Sequence, residues 1–306
     1  MEQVQKEILS VIADIDDIPT DGAYNIRING KSIGMTSTED VRIVPKPDNS
    51  GMDIYIAPGT KKERIHIPVV IDESGLRELV YNDFYVGEGA DVSIVAGCGI
   101  HNHGDELSRH DGIHTFNVSK NARVVYIEKH YGSGDGRGER VLNPVTVVNL
   151  EENGYMEMDT VQIKGVDRTK RVTTANMAAG SVLKIREKLM TNGTQYAETE
   201  FEVNLNGKGA AAHVVSRSVA ADESSQLFIS RVNGNEECTG RTECDAIIMN
   251  AASVKAVPEI SANHVGASLV HEATIGKIAG DQFIKLMTLG LTEQEAEEQI
   301  VNGFLK

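Results

Sequence analysis

Histidines, cysteines and carboxylates that could bind a metal are concentrated in two parts of the chain. The first part runs from residue 97 to residue 114 and begins with Cys98. Because alternate residues of a strand point the same way, His101 and His103 would face one metal ion together, and Glu106 could complete the site. This pattern allows a mononuclear metal site. The interpretation that the sequence favours is that these histidines are solvated or hydrogen-bonded and bind no metal.

The second part surrounds Cys244, which follows Arg241 and precedes Asp245. Free cysteine is among the most often buried residue types, so one interpretation of Cys244 is an ordinary buried side chain. A nearby arginine and a helix N-terminus would instead lower the pKa of the thiol and favour the thiolate, which binds soft metals or carries sulfur. The pair His271 and Glu272 is predicted to begin the C-terminal helix, where the dipole favours a carboxylate.

Strands must position most of these residues. Apolar and polar residues alternate in many segments from residue 23 onward, and small residues precede the apolar stretches at recurring intervals, as Ala90, Ala122, Gly154 and Ser181 do. Such a recurrence is typical of a β-solenoid, in which small residues occupy the corners between stacked strands. An antiparallel sandwich with similar turn spacing is the alternative. The lack of alternating helices argues against a doubly wound α/β fold.

Helices are predicted at both ends of the chain. Apolar residues recur at helical spacing near the N-terminus, and Thr292 with Glu295 forms a capping box for the last helix. The sequence therefore predicts an N-terminal helical segment at residues 1–22, a β-solenoid core at 23–268 and a C-terminal helical domain at 269–306.

The composition argues against several classes of protein. Lys and Arg number 30 against 45 Asp and Glu, which gives a net charge of −15 that repels nucleic-acid backbones. The N-terminus lacks the basic start of a signal peptide, and no apolar run reaches the roughly 18 residues that span a bilayer. Three cysteines cannot all pair, which favours the reducing cytoplasm. The chain has no Gly-x-x-x-x-Gly-Lys-Ser/Thr loop, so we do not expect it to hydrolyse ATP.

Longer motifs in the second half of the chain resemble a known family. They are Ser216-Arg217-Ser218, Cys244-Asp245, Pro258-Glu259-Ile260, His271-Glu272-Ala273-Thr274-Ile275-Gly276-Lys277-Ile278, Asp281-Gln282 and Ile300-Val301-Asn302-Gly303-Phe304. Together they resemble the SufB/SufD family of iron–sulfur cluster assembly scaffolds. The resemblance implies a mainly β fold, a right-handed parallel β-helix flanked by N- and C-terminal helices.

The resemblance also implies how the chain would work. Two scaffolds would pair through their β-helices, their C-terminal helices would dock on an ABC-type ATPase (SufC), and a nascent iron–sulfur cluster would form between them. Cys244, His271 and Glu272 match the SufB residues implicated in building the cluster, whereas SufD-type subunits lack that Cys and Glu. The chain itself is then expected to be a scaffold without enzymatic activity. It would receive sulfur from a donor protein and pass the cluster on to recipient proteins.

The chain departs from the family pattern at its thiols. Larger SufB proteins have a mid-solenoid Cys at which sulfur enters, and residues 188–193, which resemble that strand, contain none. We therefore expect a short, minimal SufB-like form in which Cys98 takes the sulfur-related or the ligand role. It would form a homodimer, or a heterodimer with a SufD-like paralogue.

Two hypotheses concern the remaining residues. The C-terminal helices are predicted to anchor the ATPase through apolar side chains, namely Leu286, Leu289, Ile300 and Phe304. Their alternative role is only to cover the end of the solenoid. The competing function for the whole chain is a cupin-like mononuclear metal enzyme that uses His101, His103 and Glu106.

Overall fold

Alternating side chains and small corner residues build a β-solenoid of about 8 turns. The computed structural model describes residues 1–48, 50–278 and 280–305, and for Phe283 the backbone alone. Its strands form two mostly parallel sheets, sheet A with 11 strands and sheet B with 10. The predicted mainly β solenoid with helices at its ends is confirmed.

Along the chain, strands of sheet A alternate with strands of sheet B, either singly or as consecutive pairs. Sheet A contains β1 (Ala23–Ile28), β2 (Lys31–Thr36), β5 (Lys61–His66), β6 (Val69–Ile71), β8 (Asp91–His101), β10 (Arg123–Ser133), β13 (Tyr155–Lys164), β15 (Val182–Thr191), β17 (Ala211–Ala220), β19 (Thr239–Ile248) and β21 (Ser268–Gly276). Sheet B contains β3 (Val41–Pro45), β4 (Gly51–Ile56), β7 (Arg77–Val86), β9 (Ser108–Val118), β11 (Arg140–Leu142), β12 (Val145–Leu150), β14 (Arg168–Met177), β16 (Tyr196–Leu205), β18 (Ser225–Gly234) and β20 (Ser253–Ala262). The helices are α1 (Gln3–Ala13), α2 (Gly280–Thr288) and α3 (Glu293–Phe304).

Corner residues set the length of each turn. In sheet A, Asp91 pairs with Arg123, which pairs with Tyr155, which in turn pairs with Val182, so that these four residues are each one turn apart. The corners before such strands have positive φ, which suits glycine and asparagine: Gly89, Asn121, Asn153, Gly180 and Gly209.

The two lengths of interval between small residues in the sequence have a simple structural origin. Ala90 and Ala122 precede β8 and β10, which are neighbours in sheet A, so the longer interval is a full turn. Ala252 precedes β20 of sheet B and Ala267 precedes β21 of sheet A. The shorter interval is therefore a half turn between the sheets.

Inward side chains of neighbouring strands lie in columns, because the parallel register is in step. Aromatic and aliphatic side chains fill most of the interior, with the Phe84 and Phe116 rings stacked 4.4 Å apart. One column of sheet A, however, is largely polar, and we call it the inner column: Ala96, Glu128, Thr160, Glu187, Ser216 and Cys244. The solenoid thus carries charged groups through its core.

The N-terminal helix packs on the outer face of sheet A, against β8. Ile8 and Ile12 of α1 are buried there, over Gly97 and Gly99. A Cβ atom at either glycine would collide with α1, so the close approach requires glycine at both positions. The helix therefore lies directly behind Cys98, on the opposite side of the strand.

The C-terminal end differs from the sequence prediction. Residues 269–276, expected to begin the C-terminal helical domain at 269–306, belong to strand β21. The prediction that His271 and Glu272 begin a helix is therefore wrong. The segment is rich in β-branched residues and pairs in register with β19 along nearly its whole length, which outweighs its local helical pattern.

The two C-terminal helices follow this strand. Helix α2 begins at Gly280, and α3 begins with the predicted capping box, in which the Thr292 hydroxyl accepts a hydrogen bond from the Glu295 amide. Among the described residues, none of the helices has the length and apolar character needed to cross a bilayer.

Candidate functional site

Cys244 lies at the end of the inner column, on the inward face of β19. Its side chain is buried beside Ser216 of β17 and Ala273 of β21. Burial raises the pKa of the Cys244 thiol to about 12, and the negative charges of Glu187 and Asp245 act in the same direction. Cys244 is therefore a neutral thiol at physiological pH.

Arg241 does not activate Cys244, contrary to one of the two interpretations of the sequence. The Arg241 guanidinium lies on the outer face of β19, where Nε donates to Glu243 at 2.5 Å and Nη2 donates to Glu272 at 2.8 Å. The helix N-terminus expected beside the thiol is replaced by strand β21. The buried-side-chain interpretation of Cys244 describes the isolated chain better.

His271 and Glu272 point to opposite sides of β21. His271 lies on the inner side next to Thr242, and its Nδ1 is 2.6 Å from the Thr242 hydroxyl oxygen. Its Nε2 has no hydrogen-bond partner within the described part of the chain, and burial lowers the pKa of the imidazole. Glu272 is exposed on the outer face. One chain thus brings Cys244 and His271 to the same side and leaves Glu272 on the other.

The end of the solenoid beside these residues is open. Strands β20 and β21 pair with the preceding turn on one side only, as the last strands of their sheets. Inward positions are consequently exposed, with Ile260 of β20 accessible at 45% and Ile275 of β21 at 38%. Cys244 is one strand below this opening and is covered by β21, so a second molecule placed over the end would lie one strand away from the thiol.

Cys98 lies far from Cys244, on the inward face of β8. Five strand-to-strand steps separate β8 from β19 in sheet A, which at about 4.8 Å per step is about 24 Å. The thiol lies beside the inward side chains of His110 and His130. Burial raises the pKa of Cys98, but these two imidazoles more than offset it and lower the value to about 7. Cys98 and Cys244 therefore have opposite ionisation tendencies.

Charged side chains that the sequence reasoning missed occupy the interior between the two thiols. Arg171 of β14 donates to Glu128 across the core and lies 3.6 Å from Glu187, measured from Nε to Oε1. Glu187 also accepts hydrogen bonds from the Thr199 and Ser216 hydroxyls. The signal was present in the sequence, because Glu128 and Glu187 stand at positions that the period-two alternation assigns to the core.

The structure gives no support to the cupin-like hypothesis. His101 and His103 have ring centroids 6.0 Å apart, and Nδ1 of His101 is hydrogen-bonded to the Ser133 hydroxyl at 3.0 Å. Glu106 folds over Gly75. In the described residues no group of three His, Cys, Asp or Glu side chains is arranged to hold a metal ion.

The apolar side chains of the C-terminal helices fall into two groups. Phe304 and Val301 of α3 pack with Leu305, the residue after the helix, against Val219 on the outer face of sheet A. Leu286 and Ile300 are half-buried. By contrast, Leu289 is 72% exposed. Two further apolar side chains, which the sequence did not single out, are also exposed: Ile284 at 62% and Met287 at 43%.

The chain matches a known protein family over most of its length. The family described as SUF system FeS cluster assembly, SufBD core domain, matches residues 79–304. An iron–sulfur cluster assembly SufBD family protein of Pyrococcus horikoshii is 28% identical over 281 residues, which are 90% of this chain and 84% of the relative. Proteins of the same description from Archaeoglobus fulgidus and Methanocaldococcus jannaschii are each 26% identical, over 88% and 82% of this chain and 71% and 79% of their own lengths. The matched residues include both thiol-bearing strands and the C-terminal helices.

Proposed function

The chain belongs to the SufBD family of iron–sulfur cluster assembly proteins, and from that premise we propose that it is a scaffold on which iron and sulfide combine into a nascent cluster. The observation that supports the proposal best is the position of Cys244 and His271 at the open end of the solenoid. Both side chains face inward within one strand of that opening. The cluster is the cargo of this scaffold, to be passed on to recipient proteins.

The proposed site combines three kinds of ligand. The Cys244 sulfur is a soft donor, which suits an iron–sulfur cluster. Nε2 of His271 is a borderline donor, and the Glu272 carboxylate is a hard one. Metal ligation requires the thiolate, so iron must displace the proton of Cys244. The His271 imidazole, on the same side of the sheet as the thiol, would favour that displacement by holding ferrous iron near it, whereas Glu272 on the outer face would take up iron from solvent.

A second scaffold molecule would complete the ligand set. Iron–sulfur clusters are commonly held by four protein ligands, and one chain offers fewer at this end. Two copies that meet at their open ends would place two Cys244 and two His271 side chains near one interface, and would also cover the unpaired edges of β20 and β21. We therefore propose a homodimer, with a SufD-like paralogue as the partner if the chain does not pair with itself.

The proposed energy source is an ABC-type ATPase of the SufC kind, bound by the C-terminal helices. The exposed apolar side chains lie on α2 and at Leu289, which directly follows it, whereas α3 uses its own to pack on the solenoid. We assign docking mainly to α2, with Leu289 as the residue retained from the sequence prediction. ATP hydrolysis would reside in that partner, and the scaffold would have no enzymatic activity. All three cysteines are free thiols, which suits a reducing cytoplasm.

Cys98 is assigned the sulfur-related role rather than that of a cluster ligand. Its separation from Cys244 of about 24 Å, or five strand steps, is too long for both sulfur atoms to bind one cluster. Its lowered pKa suits a nucleophile that accepts sulfur from a donor.

Anaerobic reconstitution with ferrous iron and sulfide tests the proposal. The parent chain should develop the visible absorbance of an iron–sulfur cluster, and Cys244→Ser should lose it because an alcohol ligates iron poorly. Cys238→Ser is the matched control, since Cys238 is also buried and has no assigned role. If Cys244→Ser reconstitutes as well as the parent, the assigned site is wrong.

A further inference from the structure

The Cys98 thiol lies at a boundary between apolar and charged parts of the core. On one side it packs in a cluster of buried aliphatic side chains, formed by Val69, Ile71, Ile100, Leu142 and Val166. On the other side it meets the imidazoles of His110 and His130, both nearly inaccessible to solvent. The aliphatic surroundings alone would keep a thiol protonated. Any thiolate here must therefore be stabilised by the histidines.

Each of these histidines is backed by a buried carboxylate. The first pair, which we call the sheet-B pair, consists of Glu78 on β7 and His110, its register partner on β9. His110 Nδ1 lies 3.3 Å from Glu78 Oε2, and Arg27 holds the other oxygen of that carboxylate through Nη2 at 2.6 Å. Burial lowers the pKa of His110, but the charges of Cys98 and Glu78 raise it to about 10.

The second pair, the sheet-A pair, consists of Glu128 and His130 on β10. His130 is the register partner of Cys98, and its Nε2 lies 3.6 Å from Glu128 Oε1. Burial raises the pKa of Glu128, but Arg171 and His130 hold it well below its usual range. Burial likewise lowers the pKa of His130, and Glu128 more than compensates, so the imidazole is held above its ordinary value.

We propose that the sheet-B pair and the sheet-A pair together hold Cys98 as a buried thiolate and act as positioning residues for its sulfur-accepting role. The inference rests on the function proposed above. His130 is the register partner of Cys98 in sheet A, His110 approaches the same thiol from sheet B, and a carboxylate oxygen lies within 3.6 Å of each imidazole. The carboxylates favour positive charge on the imidazoles, and that charge stabilises a thiolate. The ionisable and strongly polar groups that face this cluster from the packed strands are Arg27, Glu78, His110, His114, Tyr126, Glu128, His130, Gln162 and Arg171.

The arrangement supports a balanced sulfur transfer. The Cys98 thiolate attacks the outer sulfur atom of a donor hydropersulfide, R–S–SH. A bond forms between Sγ and that sulfur, the S–S bond of the donor breaks, and the donor leaves as a thiolate, R–S⁻. Cys98 then carries the persulfide, and no external oxidant or reductant is consumed. The two imidazoles also stabilise the persulfide anion once it loses its proton.

Titration of the thiolate by its ultraviolet absorbance tests the inference without requiring a reagent to reach the core. Burial raises the pKa of both other thiols, that of Cys244 to about 12, so only Cys98 should ionise between about pH 5 and about pH 9. The parent should show a one-thiolate step near pH 7 that Cys98→Ser lacks. Glu78→Gln and Glu128→Gln should each move the step upward by about one pH unit, since each removes the charge that keeps one imidazole protonated.

A matched control separates this effect from a general loss of buried charge. Glu187→Gln removes a carboxylate from the same inner column that also contacts Arg171 but lies two strands from Glu128, so the step should stay in place. A parent step at pH 9 or above, or pair variants that both keep the midpoint of the parent, overturns the inference. Circular dichroism would show whether a pair variant fails to fold. In that case the inference is decided by whether the parent has a thiolate step near pH 7 that Cys98→Ser lacks.

A second measurement distinguishes failure of this inference from failure of the proposed function. Inorganic polysulfide should add one sulfur atom to the Cys98 peptide, detected by mass spectrometry, with a pH dependence that follows the thiolate step. The same gain is expected in Cys244→Ser, which cannot build a cluster. If Cys98 ionises near pH 7 in a chain that never forms a cluster, the inference stands and the scaffold function is rejected. If a cluster forms but Cys98 does not ionise near pH 7, the scaffold function stands and the inference is rejected.

Discussion

Glu272 is the one proposed ligand that faces away from the solenoid interior. Its carboxylate is exposed and accepts a hydrogen bond from Arg241. An exposed ion pair of this kind contributes at most about 1 kcal/mol to stability, so its loss should leave the fold intact. We predict that Glu272→Ala lowers the amount of ferrous iron bound per chain, as measured by anaerobic iron analysis, while the melting temperature stays unchanged.

Glu259 provides the control for that experiment. It is an exposed carboxylate on the outer face of β20 and is paired with Arg231 at 3.0 Å, but it is not part of the proposed site. Glu259→Ala should bind as much iron as the parent. If the Glu272 variant binds as much iron as the parent, Glu272 is only a member of a surface ion pair and not an iron ligand.

The protonation states of Cys244 and His271 make a second residue-level prediction. Cys244 enters the reaction as a thiol, since its pKa is about 12, whereas the lowered pKa of His271 makes that imidazole neutral near pH 7. Iron ligation should therefore release about one proton per chain, all of it from Cys244. Affinity should rise with pH, by about tenfold per unit when one proton is displaced.

Calorimetry in two buffers of different ionisation enthalpy measures the number of protons released. Cys244→Ser should release none on any residual binding. Iron binding by the parent without proton release would mean that the thiol is not a ligand in the first bound state.

The sequence identified the residue types of the site but not their directions. Cys244, His271 and Glu272 were selected together through the family motifs, and the side of the strand that each occupies depends on the pairing of β21 with β19. That register is set by contacts between residues a full turn apart, which a local pattern does not contain. The sheet-B pair was missed for a similar reason, because Glu78 and His110 come from different strands, and so do Glu128 and the Arg171 that holds it.

At the scale of elements, α2 and α3 have different tasks. The exposed apolar side chains of α2 are typical of an interface, whereas Val301 of α3 is buried against the solenoid. We predict that Leu289→Asp weakens binding of the ATPase by at least about tenfold, the loss expected for one interface anchor, without lowering the melting temperature. Surface-bound ATPase and a titrated scaffold would give the affinities.

Two control variants define the outcome for α2. Leu79→Asp alters a side chain that is 49% exposed on β7, and it should not affect the ATPase. Val301→Asp buries a charge and should lower the melting temperature first. If Leu289→Asp binds the ATPase like the parent, the docking surface lies elsewhere and α2 has another role.

The elements themselves were predictable where the sequence repeats. Corner residues such as Asn121 and Asn153 recur at one-turn intervals because each turn needs the same left-handed backbone conformation. The boundary between β21 and α2 was not predictable, since Ile275 fits a helical face and a strand equally well, and only the exposed edge of β19 decides between them. Long-range pairing thus overrides local periodicity at the one place where the repeat ends.

At the scale of the whole molecule, net charge opposes self-association and the open end favours it. Two copies of a chain with a charge of −15 repel each other in dilute salt. Pairing through apolar inward positions and strand edges gains energy that salt does not screen. We therefore expect dimerisation to strengthen as ionic strength rises, the opposite of an interface built from ion pairs.

Substitutions at the open end test the dimer and its link to the cluster. Ile260→Asp and Ile275→Asp each place a carboxylate at an exposed inward position, where a second copy would bury it at a cost of several kcal/mol. Light scattering should show monomers for both variants, and reconstituted cluster should fall with the dimer because the second set of ligands is lost. Ile163→Asp is the matched control, since Ile163 is 44% exposed but lies on the outer face of β13, and it should remain dimeric. Variants that are monomeric and still hold a full cluster would show that one chain suffices, and variants that stay dimeric would place the interface away from the open end.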